Sequence, residues 1–348
     1  MARDLTVDTD GLQVAAAGSA QAAIEVLNGG TVGATAGTRP SDAGVAAVDA
    51  ASGETLWVHN PEAYLGGRPT HFYNSRGVAY WSDDRPGIID ARIFFGTNAG
   101  YLIALDASTG DPVLDFGDNG RVDLMEGLPR AVRGVGPNRR NRFGVASPPI
   151  VAHDVVVTPN VISDGTTTKE APPGWLKGVD ARTGELQWRY RRRPPAGLQQ
   201  IHPTSRGVGL WDDKVYMATT DAFVVALDAV SGDIVWEQAV EDYRTGYYMT
   251  MAPLVIDGKV MVGVSGGERG IRGFVTALDA DTGTEVWKTY TIPGPGEPGN
   301  DTWPGDSWRT GGAPVWVTGT FDPDLNLTYW GTGNPGPWIG DARPGDNL

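Results

Sequence analysis

Cysteine is absent from the whole 348-residue chain. That excludes disulfides, thiolate metal sites and a cysteine nucleophile, and leaves the redox compartment open. No apolar run approaches the roughly 20 residues of a membrane-spanning helix. No G-x-G-x-x-G or G-x-x-x-x-G-K-[ST] follows a strand pattern and opens a helix, so a nucleotide-dependent enzyme is set aside. Positive charge is scarce: 28 Lys and Arg face 42 Asp and Glu, for a formal net charge of −14. Such a surface is not suited to nucleic acid or to an anionic membrane. The short clusters Arg139–Arg140 and Arg191–Arg192–Arg193 read as solvated loop charges. The opening MARDLTVDTDGLQ lacks the charged-then-apolar build of a signal peptide. A removed leader, a start inside a longer reading frame and a protein that is not exported all stay open.

Glycine, proline and tryptophan are abundant, at 49, 25 and 12 residues. Turn formers spread between short apolar runs suit an all-β chain. Its organising feature is a repeat, seen in FVTALDADTGTEVW around Asp279. FVTALD reads as a strand of apolar and β-branched residues. Asp279 opens a turn, because a short acceptor side chain bonds backbone N–H groups two residues on. Gly283 takes the positive φ that closes the turn, and EVWKTY is the next strand. Copies stand at Asp49, Asp106, Asp180 and Asp228. In every copy Gly follows Asp by four positions: Gly53, Gly110, Gly184, Gly232 and Gly283. In four of the five, Trp follows by eight, at Trp57, Trp188, Trp236 and Trp287; the Asp106 copy has Leu114 instead. Successive Asp residues lie 57, 74, 48 and 51 apart, about one four-stranded propeller blade each. A hairpin of this kind cannot bury its apolar side alone, so the four Trp are expected to be buried between stacked blades.

Residues 1–40 fall outside the array, which is assigned to a propeller domain over 41–348. Leu12–Leu27 is Ala-rich, a short helix or disordered, and Asp8–Thr9–Asp10–Gly11 is a plain turn rather than a calcium loop, since later acidic ligands are missing. Two echoes run through the array. Ser75–Trp81 returns as Ser205–Trp211, and Ser147–Gly165 resembles Ala252–Gly270, so residues 41–190 and 191–290 look like two versions of one blade series. TIPGPGEPGNDTWP (291–304) reads as a loop with no regular structure. Gly311–Trp338 reads as a hairpin opening a further blade, with Asp322–Asn326 as its turn rather than a cation loop.

The repeat resembles the tryptophan-docking unit of the quinoprotein dehydrogenases, the PQQ-dependent alcohol and methanol dehydrogenase family. SRGVGLWDDKVYMATTDAFVVALDAVSGDIVW, TMAPLVIDGKVMVGVSGGERGIRG and GDSWRTGGAPVWVTGTFDPDLNLTYWGTGNPGPW look like the alcohol dehydrogenase branch. Residues 45–190, notably YLIALDASTGDPVLDFGDNGRVDL, look more like the glucose dehydrogenase branch. The resemblance implies an all-β, eight-bladed propeller. This chain supplies about five blades and one hairpin of it, and is expected to be the N-terminal part of a longer dehydrogenase, a fusion of gene fragments or a natural variant. It further implies a periplasmic protein, PQQ with Ca2+, an alcohol or sugar-like polyol as substrate, and a cytochrome or quinone as electron acceptor.

Carried over residue by residue, the resemblance implies Glu268 (in Ser265–Gly266–Gly267–Glu268) and Asn334 (in GTGNPGPW) as metal ligands. It implies Trp316 beneath the quinone ring, Arg206 on the quinone oxygens with Arg76 as its echo, Thr250 and Ser265 on the cofactor carboxylates, and Gly266 and Gly267 lining the cofactor. The chemistry suits these types. A hard cation takes carboxylate and amide oxygens and polarises the carbonyl it touches; a broad indole face fits a flat cofactor; Arg offers rigid donors. The family's adjacent cysteine pair before that Arg is replaced by Gln200 and Ile201. Its catalytic Asp is expected in the blade after GTGNPGPW, so no residue of this chain is assigned as the general base. A non-catalytic propeller that keeps the repeat without a working cofactor is the competing reading, because blade stacking constrains packing and not chemistry.

Overall fold

A computed structural model describes residues 44–50, 52–62, 76–83, 90–131, 143–162, 172–198, 202, 204–343 and 345–347. The expected N-terminal helix, the Asp8–Gly11 turn, Ser75, Arg139–Arg140, Gln200 and Ile201 lie outside these residues. Each repeat folds as a hairpin. β1 (Val45–Val48) pairs with β2 (Thr55–His59) around the Asp49 turn. A four-stranded meander follows: β3 (Ala79–Ser82), β4 (Ala91–Gly96), β5 (Tyr101–Asp106) and β6 (Arg121–Asp123). Next come β7 (Phe143–Gly144), β8 (Ile150–Ala152), β9 (Val155–Thr158), β10 (Val161–Ile162), β11 (Leu176–Asp180) and β12 (Leu186–Tyr190). Of these, β7 pairs with β10, and the other four form a sheet in the order β12-β11-β9-β8.

Two further meanders carry the last two repeats: β13 (Gly209–Trp211), β14 (Lys214–Ala218), β15 (Phe223–Asp228) and β16 (Ile234–Ala239), then β17 (Leu254–Ile256), β18 (Lys259–Gly263), β19 (Phe274–Asp279) and β20 (Glu285–Tyr290). The hairpin β21 (Thr320–Asp322) and β22 (Leu327–Tyr329) ends the strand order. Among the described residues, all pairings between these strands are antiparallel, as expected of propeller blades. Four four-stranded sheets are described, and the first repeat stands in a two-stranded one. Among the described residues, no helix is long and apolar enough to cross a membrane. The chain divides into two units, residues 1–191 with 229–232, and the remainder. The main division falls where the two sequence series adjoin.

The turn chemistry follows the repeat. Asp279 Oδ1 accepts from the backbone N–H groups of Asp281 (3.1 Å) and Thr282 (2.9 Å), and Gly283 has φ 74°. The Trp at the eighth position sits opposite a small residue on the preceding strand: Ala47, Gly178, Ala226 or Ala277. A shift of register follows each of these pairs. The indole then reaches the turn of the next repeat. Trp57 Nε1 donates to the Ala107 carbonyl at 3.1 Å, Trp188 to Ala229 at 3.0 Å and Trp236 to Ala280 at 2.9 Å. The same indoles leave no room for a Cβ on Gly110, Gly232 or Gly283, where it would lie 2.6–2.7 Å from the ring.

Trp57 and Trp188 are buried, as expected, whereas Trp236 and Trp287 are only part-buried. Trp287 packs with Phe321 and Trp330 against Leu254, Ile256 and Met261. Leu114, in the copy without Trp, is 67% exposed. Its place is taken by Phe116, fully buried, whose ring faces Gly184 of the following repeat. The Asp322 turn is confirmed as a turn, its Oδ1 accepting from the N–H groups of Asp324 and Leu325. Residues 291–304 differ from expectation. They contain a 3-10 turn at Asn300–Thr302, and Trp303 joins Ile292, Trp308 and Ala313 in a small core. A buried aromatic anchors what composition alone marks as a loop.

Candidate functional site

The site is built in the second unit from three backbone segments. Leaving β18, the chain passes through buried Val264 and Ser265 into a single 3-10 turn, Gly267–Arg269. Gly266 has φ 114°, and a Cβ there would lie 2.3 Å from the Gly246 carbonyl, so only glycine lets the turn close. A Cβ on Gly267 would meet Pro314 Cδ at 2.8 Å. The second segment, 311–316, is held on both sides. Gly312 N donates to Ile271 O (2.8 Å) and Gly273 N to Gly312 O (2.8 Å), while Ala313 N donates to Asn334 O (3.0 Å) and Gly333 N to Pro314 O (2.7 Å). The third segment, 333–336, therefore comes to rest beside the first: a Cβ on Gly267 would stand 3.8 Å from Asn334 O. Glu268 and Asn334 thus occupy neighbouring backbone segments although 66 positions separate them. Both are exposed.

The side chains form a row. The backbone N–H of Arg206 donates to Thr250 O (2.9 Å), and its guanidinium donates to the Thr250 hydroxyl. Thr250 and Ser265 are buried, at 2% and 4% exposure, with their hydroxyls 3.5 Å apart. Arg206 lies over the Trp316 ring at 5.0 Å from its centroid. Trp316 is 42% exposed, so this indole is no core filler. Its Nε1 would stand 3.0 Å from a Cβ on Gly333, beside Asn334. The row ends at Tyr248, whose phenol donates to Glu268 Oε1 at 2.9 Å. Burial, reinforced by that hydrogen bond and the carboxylate charge, pushes the Tyr248 phenol up, so it stays protonated and donating. Tyr248 was not foreseen from the sequence. Its alternation with Thr250 in Tyr248–Met249–Thr250 was the available signal, because it sets both side chains on one face of an extended segment.

Among the described residues, the first series lacks the Thr250 step of this row. Arg76 N donates to Ala146 O (3.0 Å) as Arg206 N does to Thr250 O, so a methyl stands where Thr250 has its hydroxyl. The second-series residues fit the implied group. Glu268 and Asn334 offer hard oxygen donors on adjoining segments. Arg206, Thr250 and Ser265 offer donors to anionic oxygens, and Trp316 a flat exposed face. Gly266 and Gly267 put no side chain in the way. Among the described residues, no group of three or more His, Cys, Asp and Glu could hold a metal by itself.

Residues 37–207 and 199–348 match the sequence model of the PQQ glucose/ethanol/alcohol dehydrogenase β-propeller domain. The chain belongs to this quinoprotein family. It is 38% identical over 206 residues to quinoprotein alcohol dehydrogenase PedH of Pseudomonas putida, covering 54% of this chain and 34% of that protein. It is 43% identical over 187 residues to quinohemoprotein alcohol dehydrogenase ADH IIB of Pseudomonas putida, covering 49% and 27%. Among solved structures, a europium-containing methanol dehydrogenase superposes with a TM-score of 0.51 at 32% identity, covering 57% of this chain and 37% of that one. The quinoprotein chain therefore spans about a third of the length of the curated relatives it matches.

Proposed function

We propose that this chain forms the Glu268–Asn334–Trp316 side of the cofactor site of a PQQ- and metal-dependent alcohol dehydrogenase. The observation that carries the reading is the continuous row Arg206–Thr250–Ser265, next to an exposed indole and two oxygen-bearing side chains on adjoining segments. When bound, PQQ supplies the two-electron acceptor for oxidation of an alcohol to its carbonyl, and the cation supplies Lewis acidity. Glu268 and Asn334 hold the cation through oxygen. Calcium and a lanthanide are both hard enough for this donor pair, and europium is named for the methanol dehydrogenase that the chain resembles.

Trp316 presents its face to the flat cofactor and shields that side from water. Arg206, oriented by the Thr250 hydroxyl, would offer rigid donors to oxygens of the cofactor. Thr250 and Ser265 would offer their hydroxyl protons to anionic oxygens of the cofactor, the hydroxyl that donates to its neighbour turning its proton to do so. The base that takes the alcohol proton is not assigned to any residue here. Substrate (a simple alcohol or a polyol), a cytochrome or quinone acceptor, and a periplasmic setting belong to the same proposal. They rest on family membership, and the quinohemoprotein relative suits a haem-linked acceptor.

The test is a fluorescence titration of the purified chain with PQQ, with and without Ca2+ or Tb3+. Metal-dependent quenching of tryptophan emission that Glu268→Gln loses is the expected result. Equal quenching by Glu268→Gln, or no binding at millimolar metal, would leave the scaffold reading.

A further inference from the structure

We propose that Tyr248 is a positioning residue that fixes the Glu268 carboxylate for metal binding, an inference that rests on the metal-site reading of Glu268. Glu268 is exposed on a one-turn element whose flanking glycines, Gly266 and Gly270, both lie at left-handed φ. A long, exposed carboxylate in such a place loses rotamer freedom when a cation captures it, and that loss weakens binding. Tyr248 reduces it beforehand. The residue is 8% exposed, and its backbone is bridged to Ser265, with Ser265 N donating to Tyr248 O at 2.8 Å. The phenol is therefore a fixed point two residues from Thr250. It donates to Oε1 alone, and Oε2 has no protein hydrogen-bond partner among the described residues.

One carboxylate oxygen is thus tied to the protein and the other is left for a ligand. This is the arrangement in which an outer residue orients a metal-binding one. A purely structural tyrosine would need only its buried ring, and its hydroxyl would not have to end on an exposed side chain. The guanidinium of Arg269 lies 6.0 Å from the same ring centroid and adds a second restraint on it.

The experiment titrates the whole chain with Tb3+ and follows tryptophan-sensitised luminescence in wild type, Tyr248→Phe, Glu268→Gln and the double variant. Tyr248→Phe is expected to weaken Tb3+ binding about 10–100-fold. In the Glu268→Gln background the same substitution is expected to change nothing. Wild-type affinity in Tyr248→Phe, together with weak binding by Glu268→Gln, overturns the positioning role and leaves the metal site standing. A Tyr248→Phe effect of equal size in both backgrounds shows a structural tyrosine and also overturns it. Equal affinity in all four proteins overturns the metal-site reading itself. If Tyr248→Phe folds poorly, fluorotyrosine labelling gives a readout that leaves position 248 as tyrosine. One fluorine resonance should move in Glu268→Gln, and no movement refutes the contact.

Discussion

Replacing Trp188 by Ala tests the stacking rule of the fold at its most buried point. The indole is 6% exposed and lies between two glycines: a Cβ would come within 2.3 Å of it at Gly178, on the paired strand, and within 2.6 Å at Gly232, in the following turn. Truncation leaves a cavity that neither glycine can fill, and large-to-small changes of this kind cost about 3–5 kcal/mol. It also removes the donor to Ala229 O, a buried residue, at about 1 kcal/mol or more. A loss near the upper end of the range, about 5 kcal/mol, is expected. Leu114 occupies the same repeat position but is 67% exposed, so Leu114→Ala should stay within about 0.5 kcal/mol. Phe116→Ala, at the buried position that replaces it, should cost about 3–4 kcal/mol. Urea denaturation followed by circular dichroism compares the three variants with wild type. A cost below about 1 kcal/mol for Trp188→Ala, or equal costs for Leu114→Ala and Phe116→Ala, would refute the docking argument.

Two further outcomes follow from the turns. Burial pushes the Asp106 carboxyl up, but hydrogen bonds from the Ser108 and Thr109 hydroxyls and backbone N–H groups outweigh it and hold the group below its usual value. A depressed carboxylate contributes stability above its unfolded value and loses it as pH falls through the folded one; Asp106→Asn should therefore flatten the acid limb of a stability-versus-pH curve, and an unchanged limb would contradict this. Gly266→Ala puts a Cβ 2.3 Å from the Gly246 carbonyl at φ 114°. It should cost about 2 kcal/mol or more and weaken Tb3+ binding together with thermal stability, whereas a variant as stable as wild type would show that the turn has room to spare.

The blade was legible in the sequence because its instructions are local. Asp279, Gly283 and Trp287 lie within nine residues, and the first two act on neighbouring peptides. What Trp reaches was less legible. The Ala carbonyl of the next turn stands 41 to 50 residues away, and the exception at Phe116 follows from no spacing, since the ring that covers Gly184 enters from ten positions after Asp106 rather than eight. The buried Trp303 has no flag in the sequence because Pro and Gly dominate its segment, while Trp308 and Ala313 supply packing from outside it. At the site, the positions of Glu268, Asn334, Trp316 and Arg206 were named from family resemblance. Residue types alone would have left them as a loop acid, a turn residue, a strand aromatic and a surface cation. Tyr248 had no motif to flag it, and its part depends on a hydrogen bond to a turn twenty residues on.

The most direct test of the account is a crystal of this chain grown with PQQ and Tb3+, with data collected at the lanthanide absorption edge. An anomalous peak is expected about 2.3–2.6 Å from both a Glu268 carboxylate oxygen and the Asn334 side-chain oxygen, with flat cofactor density on the Trp316 face. A peak confined to acidic surface turns elsewhere, with the Trp316 face bare, would contradict it.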